Sequence, residues 1–100
     1  MRVYQNPLLH NRKNFRNSVI DVTTAATLVC PRALGRHKVY LATFSASPIF
    51  MGDAKVAASS GFPLVSPDGK TLAVQVFETI EALHGIVASG SATVYVWEEQ

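Results

Sequence analysis

The feature that most constrains this chain is an alternation of apolar and polar side chains, with a period of two residues, over most of residues 19–98. Turn residues interrupt it roughly every eight to twelve residues. A period of two is typical of a β-strand with one buried face, whereas an amphipathic helix needs a period of 3.6. We therefore predict an all-β fold, a small antiparallel β-sandwich that is jelly-roll-like, with a five-stranded OB-type barrel as the closest alternative.

The alternation also predicts individual strands. Residues 19–30 (VIDVTTAATLVC) are expected to form one long, half-buried strand, and residues 37–45 (HKVYLATFS) a second one with apolar side chains on both faces. A strand whose two faces are both apolar is commonly covered on each side. Shorter strands are expected at 48–52 and 54–58.

Two turns are expected to close hairpins. In SPDGK, residues 66–70, Pro67 and Asp68 fit the centre of a type I turn, and Gly69 fits the left-handed position that follows. This turn is predicted to join residues 62–65 to 71–77, where Leu72, Val74 and Val76 alternate with Thr71, Ala73 and Gln75. The turn at Ser89-Gly90-Ser91 is predicted to join residues 83–89 to the final strand in the same way.

The final strand carries two large aromatic residues on one face. Val94 and Val96 share one side of it, while Tyr95 and Trp97 share the other. Because the two valines already supply a core face, the two rings either complete a second buried layer or form an oligomer or partner surface. The sequence leaves both readings open.

The first 17 residues differ from the rest in charge. They contain four Arg or Lys residues and no acid, whereas the rest of the chain has five basic and seven acidic residues. We expect residues 1–17 to form an extended docking arm, and residues 18–100 to form the β-sandwich domain. The expected partner-binding residues of the arm combine cations with apolar side chains: Arg2, Tyr4, Pro7, Leu8, Leu9, Arg12, Lys13, Phe15 and Arg16.

No catalytic or metal-binding pattern emerges from the sequence. His10, His37, His84 and the single cysteine, Cys30, are widely separated along the chain, whereas metal sites commonly draw two ligands from nearby positions. The motifs of hydrolases and of nucleotide-binding loops are missing too. We expect no enzyme activity, no cofactor, no small-molecule substrate and no membrane association. Nucleic-acid binding is disfavoured because the body of the chain is slightly acidic.

The order of motifs resembles a broad group of small virion proteins of tailed bacteriophages. The matching stretches are Ser45 to Gly52 (SASPIFMG), Gly61 to Leu64 (GFPL) and Leu83 to Glu98 (LHGIVASGSATVYVWE), within a resemblance that covers residues 19–98. The chain departs from the pattern at Thr43-Phe44-Ser45, where the group often has Asn-rich residues, and in its longer SPDGK turn.

The resemblance implies a structural role in a virion. The expected function is that of a capsid decoration or cement protein, located on the capsid surface after assembly in the host cytoplasm. Its expected partners are the major capsid protein, other virion proteins and further copies of itself as a dimer or trimer. The alternatives are a neck, tail or head-fibre-base component and, from other classes, an OB-like single-stranded nucleic-acid-binding module or a carbohydrate-binding module.

Overall fold

The computed structural model describes residues 15–100, which form eight β-strands. The strands are β1 (Phe15–Val22), β2 (Thr27–Cys30), β3 (Lys38–Thr43), β4 (Ile49–Gly52), β5 (Phe62–Leu64), β6 (Ala73–Phe77), β7 (Leu83–Val87) and β8 (Ala92–Glu99). They belong to two four-stranded sheets. The first sheet has the order β1-β8-β3-β6, and the second has the order β2-β7-β4-β5.

The strand order is that of a jelly roll. All pairings are antiparallel, and the chain pairs from its ends inward: β1 with β8, β2 with β7, β3 with β6 and β4 with β5. Two further pairings, β3 with β8 and β4 with β7, complete the sheets. This double-sheet architecture confirms the predicted small β-sandwich, and it contradicts the OB-type barrel, which would have a single closed sheet.

The core lies between the two sheets, and it follows from strand alternation. Every second side chain of each long strand faces the opposite sheet, so Val94 and Val96 of β8 belong to the same buried cluster as Ile49 and Val87 of the second sheet. The buried apolar cluster consists of Val22, Val29, Cys30, Val39, Leu41, Ile49, Met51, Leu64, Leu83, Val87, Val94 and Val96.

One connection of the chain covers part of the outer surface of the second sheet. The chain between β4 and β5, residues 53–61, turns back over β4, and its Val56 is only 7% exposed. The 53–61 connection lies so close to β4 that positions 52 and 61 require glycine. A Cβ atom at Gly52 would lie 2.9 Å from Val56 Cγ2, and one at Gly61 would lie 2.5 Å from Phe50 Cβ. The predicted strand at 54–58 is therefore wrong, because these residues form packed turns.

The predicted long strand at 19–30 is also wrong, because it is two strands in different sheets. Residues 23–26 carry the chain from β1 to β2, and two threonine hydroxyls hold this turn. Thr27 Oγ1 donates a hydrogen bond to Ala25 O at 2.9 Å, and Ala25 N donates one to Thr23 Oγ1 at 3.3 Å. Threonine favours strands by its branched side chain, but here its hydroxyl satisfies a turn instead.

Both turns form where they were predicted, but the two strands that flank each turn do not pair with each other. Gly69 and Gly90 have φ angles of 76° and 68°, as expected for left-handed turn positions. However, β5 and β6 lie in different sheets, as do β7 and β8. Ser66 anchors the first of these connections across the end of the sandwich: its N–H donates to Ser45 O at 2.7 Å, and its Oγ donates to Thr71 O at 2.6 Å.

The predicted boundary between arm and sandwich lies three residues too late. Phe15, Arg16 and Asn17 already belong to β1, where they pair with Glu99, Glu98 and Trp97 of β8. The longer pairing is possible because β8 extends to Glu99 and offers its edge along the whole of β1.

Replacement of Gly61 by alanine is expected to destabilise the protein by about 1–3 kcal/mol, because the new methyl group would overlap Phe50 and force the 53–61 connection off the second sheet. Urea unfolding monitored by circular dichroism measures the loss. Gly35→Ala is the matched control, since the nearest atom to its new Cβ is 3.8 Å away. Equal stabilities of the two variants would contradict the close approach.

Candidate functional site

The outer surface of the first sheet, opposite the core, is the candidate site. Strand register places its side chains in rows across four strands. One row contains Val19, Tyr95, Ala42 and Val74, and the next contains Asn17, Trp97, Tyr40 and Val76. Phe15, Phe44 and Leu72 lie next to these rows on the same side of the sheet. We call the following set the outer apolar face: Phe15, Val19, Tyr40, Ala42, Phe44, Leu72, Val74, Val76, Tyr95 and Trp97.

The outer apolar face is exposed to an unusual degree for such large side chains. Trp97 is 50% exposed, Val74 54% and Val19 62%. An open groove of about 730 Å³ runs across it. Isolated exposed hydrophobic residues are normal on protein surfaces, but a continuous apolar patch with a polar margin is typical of an interaction surface.

Aromatic contacts fix the arrangement of the face. Trp97 lies between Phe15 and Tyr40, with ring centroids 5.2 Å and 6.2 Å away, and Phe44 contacts Tyr95 at 6.3 Å. The Phe15 and Trp97 rings meet edge to face at 68°, which is a favourable geometry for an aromatic pair. The rings therefore form a ridged surface rather than a flat one.

Polar groups border the face at both ends of the strands. At one end Glu99 lies beside Lys38, whose Nζ is 3.9 Å from Glu78 Oε2. At the other end Thr93 Oγ1 donates a hydrogen bond to Asp21 Oδ1 at 3.0 Å. An apolar centre with a polar rim is the usual anatomy of a protein–protein interface.

The predicted site residues fall into three groups. Tyr95 and Trp97 lie on the outer apolar face, and Phe15, which was predicted as part of the arm, lies beside them. The remaining arm residues Arg2, Tyr4, Pro7, Leu8, Leu9, Arg12 and Lys13 lie outside the described residues. Arg16 is engaged within the chain, because its Nε and Nη2 donate to the two carboxylate oxygens of Glu98, both at 3.3 Å.

The sequence did not reveal the extent of the face. The alternation at Leu72, Val74 and Val76 is present, but these side chains point away from the core, while Ala73, Gln75 and Phe77 occupy the inward positions. Val19 and Tyr40 were not assigned to a surface either. The available signal was the apolar character of both faces of residues 37–45, which fits a sheet covered on two sides.

A buried ion cluster lies behind the face, on the inner side of β8. Glu98 is 1% exposed and accepts a hydrogen bond from Arg36 Nη1 at 3.1 Å. Arg36 is itself 4% exposed, and its other donors reach backbone carbonyls: Nε to Thr79 O at 2.8 Å, and Nη2 to Glu81 O at 2.6 Å. The guanidinium and carboxylate are thus satisfied by the chain's own groups, which indicates a structural role.

Cys30 lies against the same cluster. Its Sγ is 3.5 Å from Arg36 Nη1, and the residue is fully buried. Burial raises the pKa of the Cys30 thiol above its ordinary value of 9.0, although the Arg36 charge opposes this effect. A buried thiol that resists ionisation is a poor nucleophile and a poor metal ligand.

Other chemistry is sparse in the described part of the chain. Among residues 15–100, no group of three or more His, Cys, Asp or Glu side chains is placed to hold a metal ion. The same residues contain no helix long and apolar enough to cross a membrane. Comparisons of the chain with protein-family models, with curated proteins and with solved structures found no match.

Replacement of Arg36 by methionine is expected to lower the free energy of unfolding by about 3–5 kcal/mol, because the buried Glu98 carboxylate loses its closest partner. Denaturant titration measures the change. Arg32→Met is the matched control: it breaks an ion pair with Glu81 whose side chains are 57% and 68% exposed, and is expected to cost less than about 1 kcal/mol. Equal losses would show that the buried pair contributes no more than a surface pair.

Stability is expected to fall as the pH rises above the ordinary thiol pKa of 9.0, because the unfolded chain then ionises Cys30 while the folded chain, with its raised pKa, retains the proton. Below that pH the Cys30 thiol is protonated in both the folded and the unfolded state, so its contribution to stability is fully present. Unfolding titrations between about pH 8 and about pH 10, compared with those of Cys30→Ala, measure it. The variant is expected to lose less stability over this range, and identical slopes would contradict the assignment.

Proposed function

We propose that this protein is a non-enzymatic structural protein of a tailed-phage virion. The more specific role that we propose is capsid decoration or cement: the protein binds the outer shell and bridges capsid subunits, which stabilises the particle. The observation that carries the proposal is the outer apolar face, because it is a large surface with the composition of a protein–protein interface.

The energetics of the outer apolar face support a role in assembly. Eight of its large side chains are between 42% and 62% exposed: Phe15, Val19, Phe44, Leu72, Val74, Val76, Tyr95 and Trp97. At roughly 25 cal/mol for each Å² of apolar surface, leaving such a patch in water costs several kcal/mol relative to covering it. A protein whose surface fits this face would recover that free energy on binding, in part offset by the entropy lost on association.

The fold is compatible with this role. The jelly roll is an architecture of viral capsid proteins, although lectins and cupins also use it, so it supports the proposal by analogy alone. The resemblance of residues 19–98 to small virion proteins of tailed phages adds a second, independent line of support.

In this proposal the basic residues before β1 bind the shell. Arg2, Arg12 and Lys13 would pair with carboxylates of the major capsid protein or another virion protein, and Tyr4, Pro7, Leu8 and Leu9 would fill apolar pockets there. Arg16 leaves this set, because it already binds Glu98.

The alternatives differ from capsid decoration either in where the protein would lie on the particle or in what it would bind. A neck, tail or head-fibre-base protein would have the same kind of apolar face but would occupy another part of the particle. Single-stranded nucleic acid fits the face poorly, because Lys38 at its rim lies between Glu78 and Glu99. Carbohydrate binding would use the exposed Tyr95 and Trp97, whose neighbouring rings stand at steep angles to them.

Particles purified from a phage that encodes this chain are expected to contain the protein in a fixed ratio to the major capsid protein, with label on the shell in immuno-electron microscopy. Arg2→Ala, Arg12→Ala and Lys13→Ala combined are expected to lower shell occupancy about tenfold at moderate salt, because three charge pairs are lost. Quantitative mass spectrometry of the particles measures both results.

The matched control removes three exposed cations from the sandwich, by Arg32→Ala, Lys55→Ala and Lys70→Ala, and is expected to leave occupancy unchanged. Particles that lack the protein would overturn the virion proposal. Label on the tail or neck would replace decoration with the alternative placement, and equal occupancy of the two triple variants would contradict shell binding through the arm.

A further inference from the structure

We propose that the outer apolar face is the interface of a symmetric dimer, in which the first sheets of two copies of this chain stack face to face. The inference deepens the proposed function and rests on it, since it names a second copy as the first partner of an assembly protein. It assigns the occupant of the face, which the proposed function leaves open.

The two sheets differ in how their outer surfaces are covered. On the second sheet, the 53–61 connection packs onto β4 so closely that Gly52 and Gly61 have no room for a side chain. None of the connections within residues 15–100 covers the first sheet in this way, and Trp97, Val74 and Val19 are half exposed or more. Residues 15–100 thus cover part of one sheet and leave the outer surface of the other sheet open.

The area of the face matches what a dimer requires. Eight large side chains that are about half exposed, at roughly 150 Å² each, present on the order of 600 Å² of apolar surface. Two such faces together would bury about 1,200 Å², which is the lower end of the range for stable protein–protein complexes. A small ligand or a short peptide would leave much of this surface in contact with water.

The distribution of charge favours a second copy over a charged partner. The centre of the face carries no ionisable group except the phenols of Tyr40 and Tyr95, so stacking it on itself desolvates no formal charge. Its charged residues lie at the rim, with Lys38 beside Glu78 and Glu99 at one end and Asp21 at the other. A surface with a neutral centre can meet a second copy of itself without repulsion between like charges there, as a two-fold interface requires.

The shape of the face fits sheet stacking. Its rows of side chains come from four adjacent strands at regular register, which is the same kind of surface that the first sheet presents to the core on its other side. Two such surfaces pack with their layers about 10 Å apart. In the dimer, the ridges of Trp97, Tyr95 and Tyr40 would insert between those of the partner copy.

The single tryptophan of the chain provides a direct test, because Trp97 lies in the middle of the face. Full-length protein is diluted from about 100 μM to about 10 nM, a range that spans typical dimer affinities. Sedimentation is expected to change from dimer to monomer. Over the same range, Trp97 emission is expected to shift to longer wavelength and its quenching by acrylamide to increase.

Two variants test the surface. Val19→Lys and Val74→Lys each place a charge on an exposed position of the face, and each is expected to weaken dimerisation at least about 100-fold without unfolding the chain. Leu28→Lys, on the second sheet, and Leu34→Lys, in the β2–β3 connection, are matched controls at exposed apolar positions. They are expected to change the dissociation constant less than about threefold.

Four other outcomes overturn the inference, and each identifies what replaces it. A monomer at every concentration with Trp97 shielded would show that the chain's own first residues cover the face, whereas a monomer with Trp97 exposed would leave the face to another virion protein. A dimer whose Trp97 stays exposed would use another surface, and a trimer would exclude two-fold stacking. Dimerisation without incorporation into particles would support the interface while removing the virion proposal.

Discussion

The ion cluster around Glu98 is the interaction on which the rest of the sandwich depends. Glu98 lies on β8, the strand between β1 and β3, and Arg36 binds it while also holding the carbonyls of Thr79 and Glu81 from the connection that enters β7. One guanidinium therefore joins the first sheet to the chain that leads into the second. Because burying a charge without a partner is costly, these groups favour the register in which Arg36 and Glu98 meet. Tyr95 and Trp97 of the outer apolar face lie on the same strand, so their position next to the neighbouring strands depends on the same register.

Local sequence patterns predicted the strands better than their partners. The left-handed glycine at 69, the turn at Gly90 and the two faces of β8 were correct, because each depends on a few neighbouring residues. The hairpins were wrong because a turn of the same chemistry can close a hairpin or cross between sheets. The choice depends on distant contacts, such as that between Ser66 and Ser45, which no local window contains.

The candidate site was predicted only at its centre. Tyr95 and Trp97 were identified from alternation on one strand, but Val19, Tyr40 and Val74 join them through pairings between strands that are far apart in sequence. The buried pair of Arg36 and Glu98 was missed for the same reason, since the two residues are 62 positions apart. A pattern of apolar residues identifies a face, but whether it lies inside or outside depends on which sheet covers it.

The pairing of β1 with β8 also determines when the molecule can fold. Two of the first sheet's four strands, β1 and β8, lie at opposite ends of the described chain, so β1 has no strand to pair with until residues up to Glu99 have been synthesised. Folds with such long-range pairings form slowly, because a large loop must close before any contact rewards it. During synthesis, β3 and β6 are therefore made before β8, the strand that lies between β1 and β3, and their apolar side chains are not yet part of a complete sheet. Shielding of the emerging chain until β8 is available is therefore expected to help this protein fold.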